Sequence, residues 1–307
     1  MNFKKTVAFA GALTGLVLML VASPMIGEMI ATMAPLSVNF PRKYSHLKHE
    51  NVEFPTSDGL KLRGWFFPAA DPSAPAIVYA PATAKDQRQG LSLVAPLQKA
   101  GYQVLLFSYR GSGNSDGNRL KFSYGARESI DIDAAVRYLS ETRGIADIAA
   151  IGHSAGAVSI ILSAARNENI DAVIAAAPFT SLQDIWQDNR PQLVPSNLFQ
   201  KIQYLFQIRK GFSQSQVRPI DVIGKISPRP VLLINGTADQ RISPERASRL
   251  FSAARFPKQL IWLPDTGHAA VRSPGLDNLL PEIVQFLDES LKHKTAGVYN
   301  RRCIQAL

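Results

Sequence analysis

Short apolar runs separated by helix-length amphipathic stretches constrain this chain more than any other feature. AIVYA at 76–80, YQVLLFS at 102–108, IAAIG at 148–152, DAVIAAA at 171–177, VLLIN at 231–235 and QLIWL at 259–263 carry no polar alternation. A strand that shows water neither face has to be covered on both, and a parallel sheet between two helix layers does that. Between the runs, helical periodicity predicts helices near 89–100, 126–143, 155–166, 244–256 and 276–293. NVEFPTSDGLKLRGWFFPA, ahead of the first run, alternates around a Ser-Asp-Gly turn and predicts an antiparallel hairpin. The predicted fold is a doubly wound, mostly parallel α/β sheet spanning residues 50–292. From about 180 to 228 the spacing stops, and LFQKIQYLFQI at helical period stands where a short connection belongs. This insertion predicts a small helical cap. Leu198, Ile202, Leu205 and Phe206 are expected to pack it, at least in part, onto the body.

One of the apolar runs leads into GHSAG, Gly152 to Gly156, and a run of small residues follows. A G-x-S-x-G string arises by accident in about one chain of this length in ten. Strand before and helix after are what turn it into a nucleophile elbow. Ser154 is therefore the candidate nucleophile, and the Ala155 N–H, at a helix start, the candidate oxyanion donor. A serine hydroxyl needs a base at neutral pH. Of five histidines, His46 and His49 precede the domain, His153 sits inside the elbow and reads as facing away from the chemistry, and His293 falls in a terminal basic stretch. His268, in a Gly-containing loop after the last predicted strand, remains. Asp239, in the loop after VLLIN, gives the order Ser, Asp, His and is the expected orienting acid. Asp265 competes but reads as a turn residue three positions before His268. The second oxyanion donor is expected from the APATAKDQ loop, at Ala82 or alternatively Thr83. Such chemistry requires neither metal nor organic cofactor.

FSYRGSGNSDG, IAAIGHSAGAV, AAAPFTSLQDI, KISPRPVLLINGTADQRISPE and LPDTGHAAV together resemble the α/β-hydrolase superfamily. The likeness is nearest to its small, often membrane-anchored branch of bud-emergence-type and depalmitoylase-like serine hydrolases. It implies hydrolysis of an ester, thioester or amide, with Tyr109–Gly117 chiefly structural. Many relatives carry His-Gly in the loop after AIVYA, where this chain reads APATAKDQ, a departure that bears on loop geometry and substrate scope. The expected activity is that of a serine esterase or thioesterase acting on acyl substrates, lipid-like ones among them. A peptidase or acyltransferase on the same triad, or a noncatalytic binding protein of the same fold, are the alternatives.

Lys4 and Lys5 precede a stretch that stays mostly apolar from Thr6 to Pro35, broken by Glu28. Such a run spans a bilayer or directs export. Prolines after Ser23 and Ala34 disfavour cleavage there, so residues 1–35 are read as a retained anchor with the catalytic domain outside the cytoplasm. Secretion after cleavage is the alternative. The net charge of +10 has no focal basic run interleaved with aromatics, so no nucleic-acid partner is expected. Basic clusters at 42–48, 201–229 and 292–302 flank the anchor and the cap, where they could meet anionic lipid. Cys303, the single cysteine, lies in a basic tail, 293–307, and precludes an intrachain disulfide.

Overall fold

The computed structural model describes residues 37–292 apart from Leu193. The sequence-predicted anchor, 1–35, and the basic tail, 293–307, lie outside the described residues. Among the described residues no helix is long and apolar enough to cross a membrane.

Eight strands form one sheet: β1 (Glu50–Pro55), β2 (Lys61–Phe67), β3 (Ala76–Ala80), β4 (Gln103–Phe107), β5 (Ile148–His153), β6 (Ala172–Ala176), β7 (Val231–Gly236) and β8 (Lys258–Leu263), in the order β1-β2-β4-β3-β5-β6-β7-β8. The β1–β2 hairpin is antiparallel and joins β4 antiparallel; every other pairing is parallel. The unbroken apolar runs have the cause expected of them. Ile77, Tyr79, Val104, Leu106, Ala149, Ile151, Leu232 and Ile234 fill the core on one face, while Val78, Leu105, Phe107, Ile148, Ala150, Val173 and Leu233 fill the other. Alternate residues thus point to opposite faces, and both faces are dry.

The principal helices are α1 (Leu91–Lys99), α2 (Glu128–Arg137), α3 (Ala155–Ala164), α4 (Leu182–Asp188), α5 (Ser196–Lys210), α6 (Pro244–Ala253) and α7 (Leu280–Leu287). α1 and α7 cover the first face; α2, α3 and α6 cover the second. One predicted helix, 276–293, is broken. A turn at Leu276–Asn278 is followed by a restart with Pro281 in the first turn of α7, where a residue without an N–H is tolerated and its fixed φ suits a helix start.

The insertion holds α4 and α5. Ile202 and Phe206 face inward, and Phe206, Trp186, Tyr124 and Phe212 form an aromatic cluster against the body, with ring centroids 5.9 Å apart for Phe206–Trp186 and for Trp186–Tyr124 and 6.4 Å for Tyr124–Phe212. Leu198 is half-buried, whereas Leu205 points to solvent at 54% exposure. The expectation that Leu205 packs inward fails. The helix turns Ile202, Gln203, Phe206, Gln207 and Lys210 toward the body, and at 3.6 residues per turn that arc leaves position 205 outside.

Candidate active site

After β4 the chain crosses back over β3 to lay β5 on its other side, so the strand order reverses between β3 and β5. At such a reversal the loops leaving two adjacent strands diverge, and the crevice between their C-terminal ends receives ligands. Ser154 follows β5 there, and Ala82 follows β3.

Ser154 holds φ 54° and ψ −119°, outside the regions L-residues favour. Tight surroundings fix it. A Cβ on Gly156 would come within 2.2 Å of the Ala80 carbonyl oxygen, and one on Gly152 within 2.6 Å of the Gly156 carbonyl carbon. Only glycine at both positions lets the elbow turn against β3. The Ser154 N–H donates to the Ala176 carbonyl at 2.8 Å, anchoring the elbow to β6. Ala155 opens α3, so its N–H belongs to the first turn, which has no intrahelical acceptor and carries the positive end of the helix dipole.

Asp239 and His268 meet because the loops after β7 and β8 are laced together. Thr237 N–H donates to Leu263 O at 3.0 Å, Ala238 N–H to Thr266 O at 3.2 Å, and Asp265 N–H to Thr237 Oγ1 at 2.8 Å. Gly236 permits the contact, since a Cβ there would lie 1.9 Å from Thr266 O. His268 Nε2 then stands 3.0 Å from Ser154 Oγ, and Nδ1 2.8 Å from Asp239 Oδ2. Asp239 Oδ1 accepts the N–H groups of Arg241 and Ile242, each at 2.9 Å. Burial alone would raise this carboxyl, but the hydrogen bonds from His268, Ile242 and Arg241 and the charge attraction of His268 hold it below its ordinary value. It stays ionised, and an ionised carboxylate at Nδ1 keeps the proton there, leaving Nε2 free to accept one. Asp265 is exposed, with its backbone at φ 48°, a turn position as its sequence context indicates.

His153, which its place in the elbow reads as facing away from the chemistry, instead packs its ring behind His268, with centroids 5.2 Å apart and Nε2 3.1 Å from the His268 carbonyl oxygen. An N–H on Nε2 donates to that carbonyl, while Nδ1 is buried without a partner. Burial foremost, then repulsion from His268, pushes the His153 pKa down to about 3, so the ring is neutral across the working range. A histidine beside the elbow serine was the only available signal. Nothing local announced Gln89, whose side-chain oxygen accepts the Ala82 N–H at 2.7 Å. Arg272 in turn bonds the Gln89 carbonyl and donates from Nε to Tyr79 Oη at 2.9 Å. An oxyanion drawing on Ala82 therefore competes with the Gln89 amide oxygen.

Together the groups offer a hydroxyl on a strained turn, an imidazole positioned to take its proton, a carboxylate behind the imidazole and a helix start beside the oxygen. A model of the prolyl oligopeptidase family matches residues 90–294. The uncharacterised protein YfhR of Escherichia coli K12 is 30% identical over 227 residues, 71% of this chain and 73% of that protein. A polyketide transferase, ATR5, of Stachybotrys chlorohalonatus is 27% identical over 80% of this chain and 99% of its own. Among solved structures, the Pyrococcus furiosus esterase Pf2001 superposes with a TM-score of 0.67 at 21% identity, covering 85% of this chain and 98% of that one. The shared architecture is the α/β-hydrolase fold.

Proposed function

The chain belongs to the prolyl oligopeptidase family, and from that premise we propose that this hydrolase is a serine esterase or thioesterase working through Ser154, His268 and Asp239. The continuous hydrogen-bonded path from Asp239 through His268 to Ser154, at 2.8 and 3.0 Å, carries this reading.

His268 Nε2 takes the Ser154 proton as Oγ attacks the substrate carbonyl carbon. The carbonyl π pair moves onto oxygen, where the Ala155 N–H stabilises it. Ala82 supplies the second donor once Gln89 yields, with Thr83 the alternative. As the tetrahedral species collapses, the imidazolium passes its proton to the departing oxygen or sulfur. Water, deprotonated by the same imidazole, then attacks the acyl-enzyme and releases the acid. No residue here calls for a metal or organic cofactor.

The resemblance to the membrane-anchored branch and the apolar stretch at 6–35 favour acyl esters carried by lipid-like substrates, on a protein tethered outside the cytoplasm. ATR5 is named a transferase, which favours acyl transfer as the second reading. Competing alcohol acceptors separate the two, since hydrolysis releases free acid whatever acceptor is present.

Fluorophosphonate labelling of wild type beside Ser154→Ala, followed by a chain-length series of p-nitrophenyl esters, tests the proposal. Wild type is expected to label and to turn over the esters, and the alanine variant to do neither while melting at the same temperature. A folded wild type that leaves both probe and esters untouched contradicts it.

A further inference from the structure

The cap helix α5 is amphipathic in a way its packing against the body does not use. Its inward face, Ile202, Gln203, Phe206, Gln207 and Lys210, is buried. Its outward stripe is Lys201, Tyr204, Leu205, Ile208 and Arg209. Tyr204, Leu205 and Ile208 are 64%, 54% and 59% exposed, and among the described residues Phe256 alone is also a large, exposed hydrophobic. Isolated apolar side chains on a surface need no explanation, but three on adjacent turns of one helix form a contiguous ridge.

Charge says what covers it. On α5 itself the exposed charges are Lys201 and Arg209, both basic, and from Asn189 to Ile220 the sequence holds no acidic residue. A tyrosine and two aliphatic side chains between basic residues match an interfacial helix, whose apolar edge sits among acyl chains while its cations meet anionic headgroups. Topology supplies an independent argument. The described chain begins at residue 37, and Val38 is held by Asn114 through Val38 N–H to Oδ1 at 3.2 Å and Nδ2 to Val38 O at 2.8 Å. Asn114 lies in the loop leaving the C-terminal end of β4, the end of the parallel sheet at which Ser154 leaves β5. The same segment grips α5, for Lys121 Nζ donates to Arg209 O at 2.8 Å and Arg127 to Lys210 O at 2.8 Å. The described chain therefore begins at the end of the sheet that bears α5 and Ser154, and the 36 residues that precede it in sequence carry the apolar stretch.

We infer that the Lys201–Arg209 face of α5 lies on an anionic bilayer surface, pressing the cap and the Ser154 end of the sheet against lipid. The inference rests on the proposed anchor, and its test separates the two. The full chain carries Cys303→Ser, so that a single cysteine at Leu205→Cys takes an environment-sensitive NBD dye; Ser252→Cys on α6 is the control. Each is reconstituted with phosphatidylcholine vesicles, with and without three-tenths phosphatidylglycerol.

In anionic vesicles the dye at 205 is expected to shift to the blue, gain at least twofold in intensity and be quenched by bromine-labelled acyl chains. The dye at 252 stays aqueous, and Lys201→Glu with Arg209→Glu removes the dependence on anionic lipid. Protein that floats with the vesicles while the dye at 205 matches the control overturns the docking and leaves the anchor standing. Protein that neither floats nor shifts overturns both. A blue shift without vesicles that grows with protein concentration assigns the ridge to a second copy of the chain and also overturns the inference.

Discussion

At the scale of single residues, the site depends on groups held in conformations they would not choose alone. Ser154 pays for its strained φ through the fit of Gly156 against Ala80. His153 contributes differently, because it is neutral and touches the backbone of His268 instead of its ring nitrogens. His153→Leu should lower kcat about tenfold with little change in KM, since a loosened His268 misplaces proton transfer more than substrate. His153→Gln, able to donate to the same carbonyl, should recover most of it. The sign of the pH effect on stability follows from a folded pKa depressed from 6.5 to about 3. Between those values the unfolded chain binds a proton that the folded one refuses, so stability rises with pH through that window. The slope for one such group is at most about 1.4 kcal/mol per pH unit. Denaturant titrations at several pH values should show His153→Gln losing this dependence.

Elements place those residues, and their contacts are where substitution tells most. Gly236 ends β7 against the backbone of Thr266, two residues before His268. Gly236→Ala should push that loop away and reduce kcat/KM by about 100-fold, even in material that remains folded by circular dichroism; unchanged turnover would show the loop to be more compliant than its contacts imply. Arg110 ties three elements. Its guanidinium meets Asp131 of α2 at 2.8 Å and Asp58 of the β1–β2 turn at 2.6 Å, with Asp131 fully buried. Asp131→Ala leaves Arg110 with only the exposed Asp58 as ionic partner and should cost about 1–3 kcal/mol in urea unfolding. Through Arg110 the Tyr109–Gly117 loop is tied to α2 and to the β1–β2 turn. The parallel strands and their covering helices were legible because double-sided burial erases polar alternation. The cap's facing was not: LFQKIQYLFQI offers apolar residues around most of the helix, and only the body it packs on decides which side is inside.

For the whole molecule, the order Ser154, Asp239, His268 was readable because strand, loop and helix alternate so regularly that a polar residue just past a strand has one place to go. What remained hidden were contacts between segments far apart in sequence. Gln89 on the Ala82 amide, Arg272 behind Gln89 and the lacing of the β7 and β8 loops have no local pattern, since each depends on how the sheet sets its loops side by side. The Ala82 amide is the clearest instance, engaged by a side chain seven residues on. If the proposed relay holds, Asp239 acts on Ser154 only through His268. Values of kcat/KM for a p-nitrophenyl ester with His268→Ala, Asp239→Asn and the double variant test it most directly. The prediction is that the double variant loses no more than His268→Ala alone, because residues acting as one unit are not additive. Losses that multiply would contradict it, for each side chain would then contribute by a separate route.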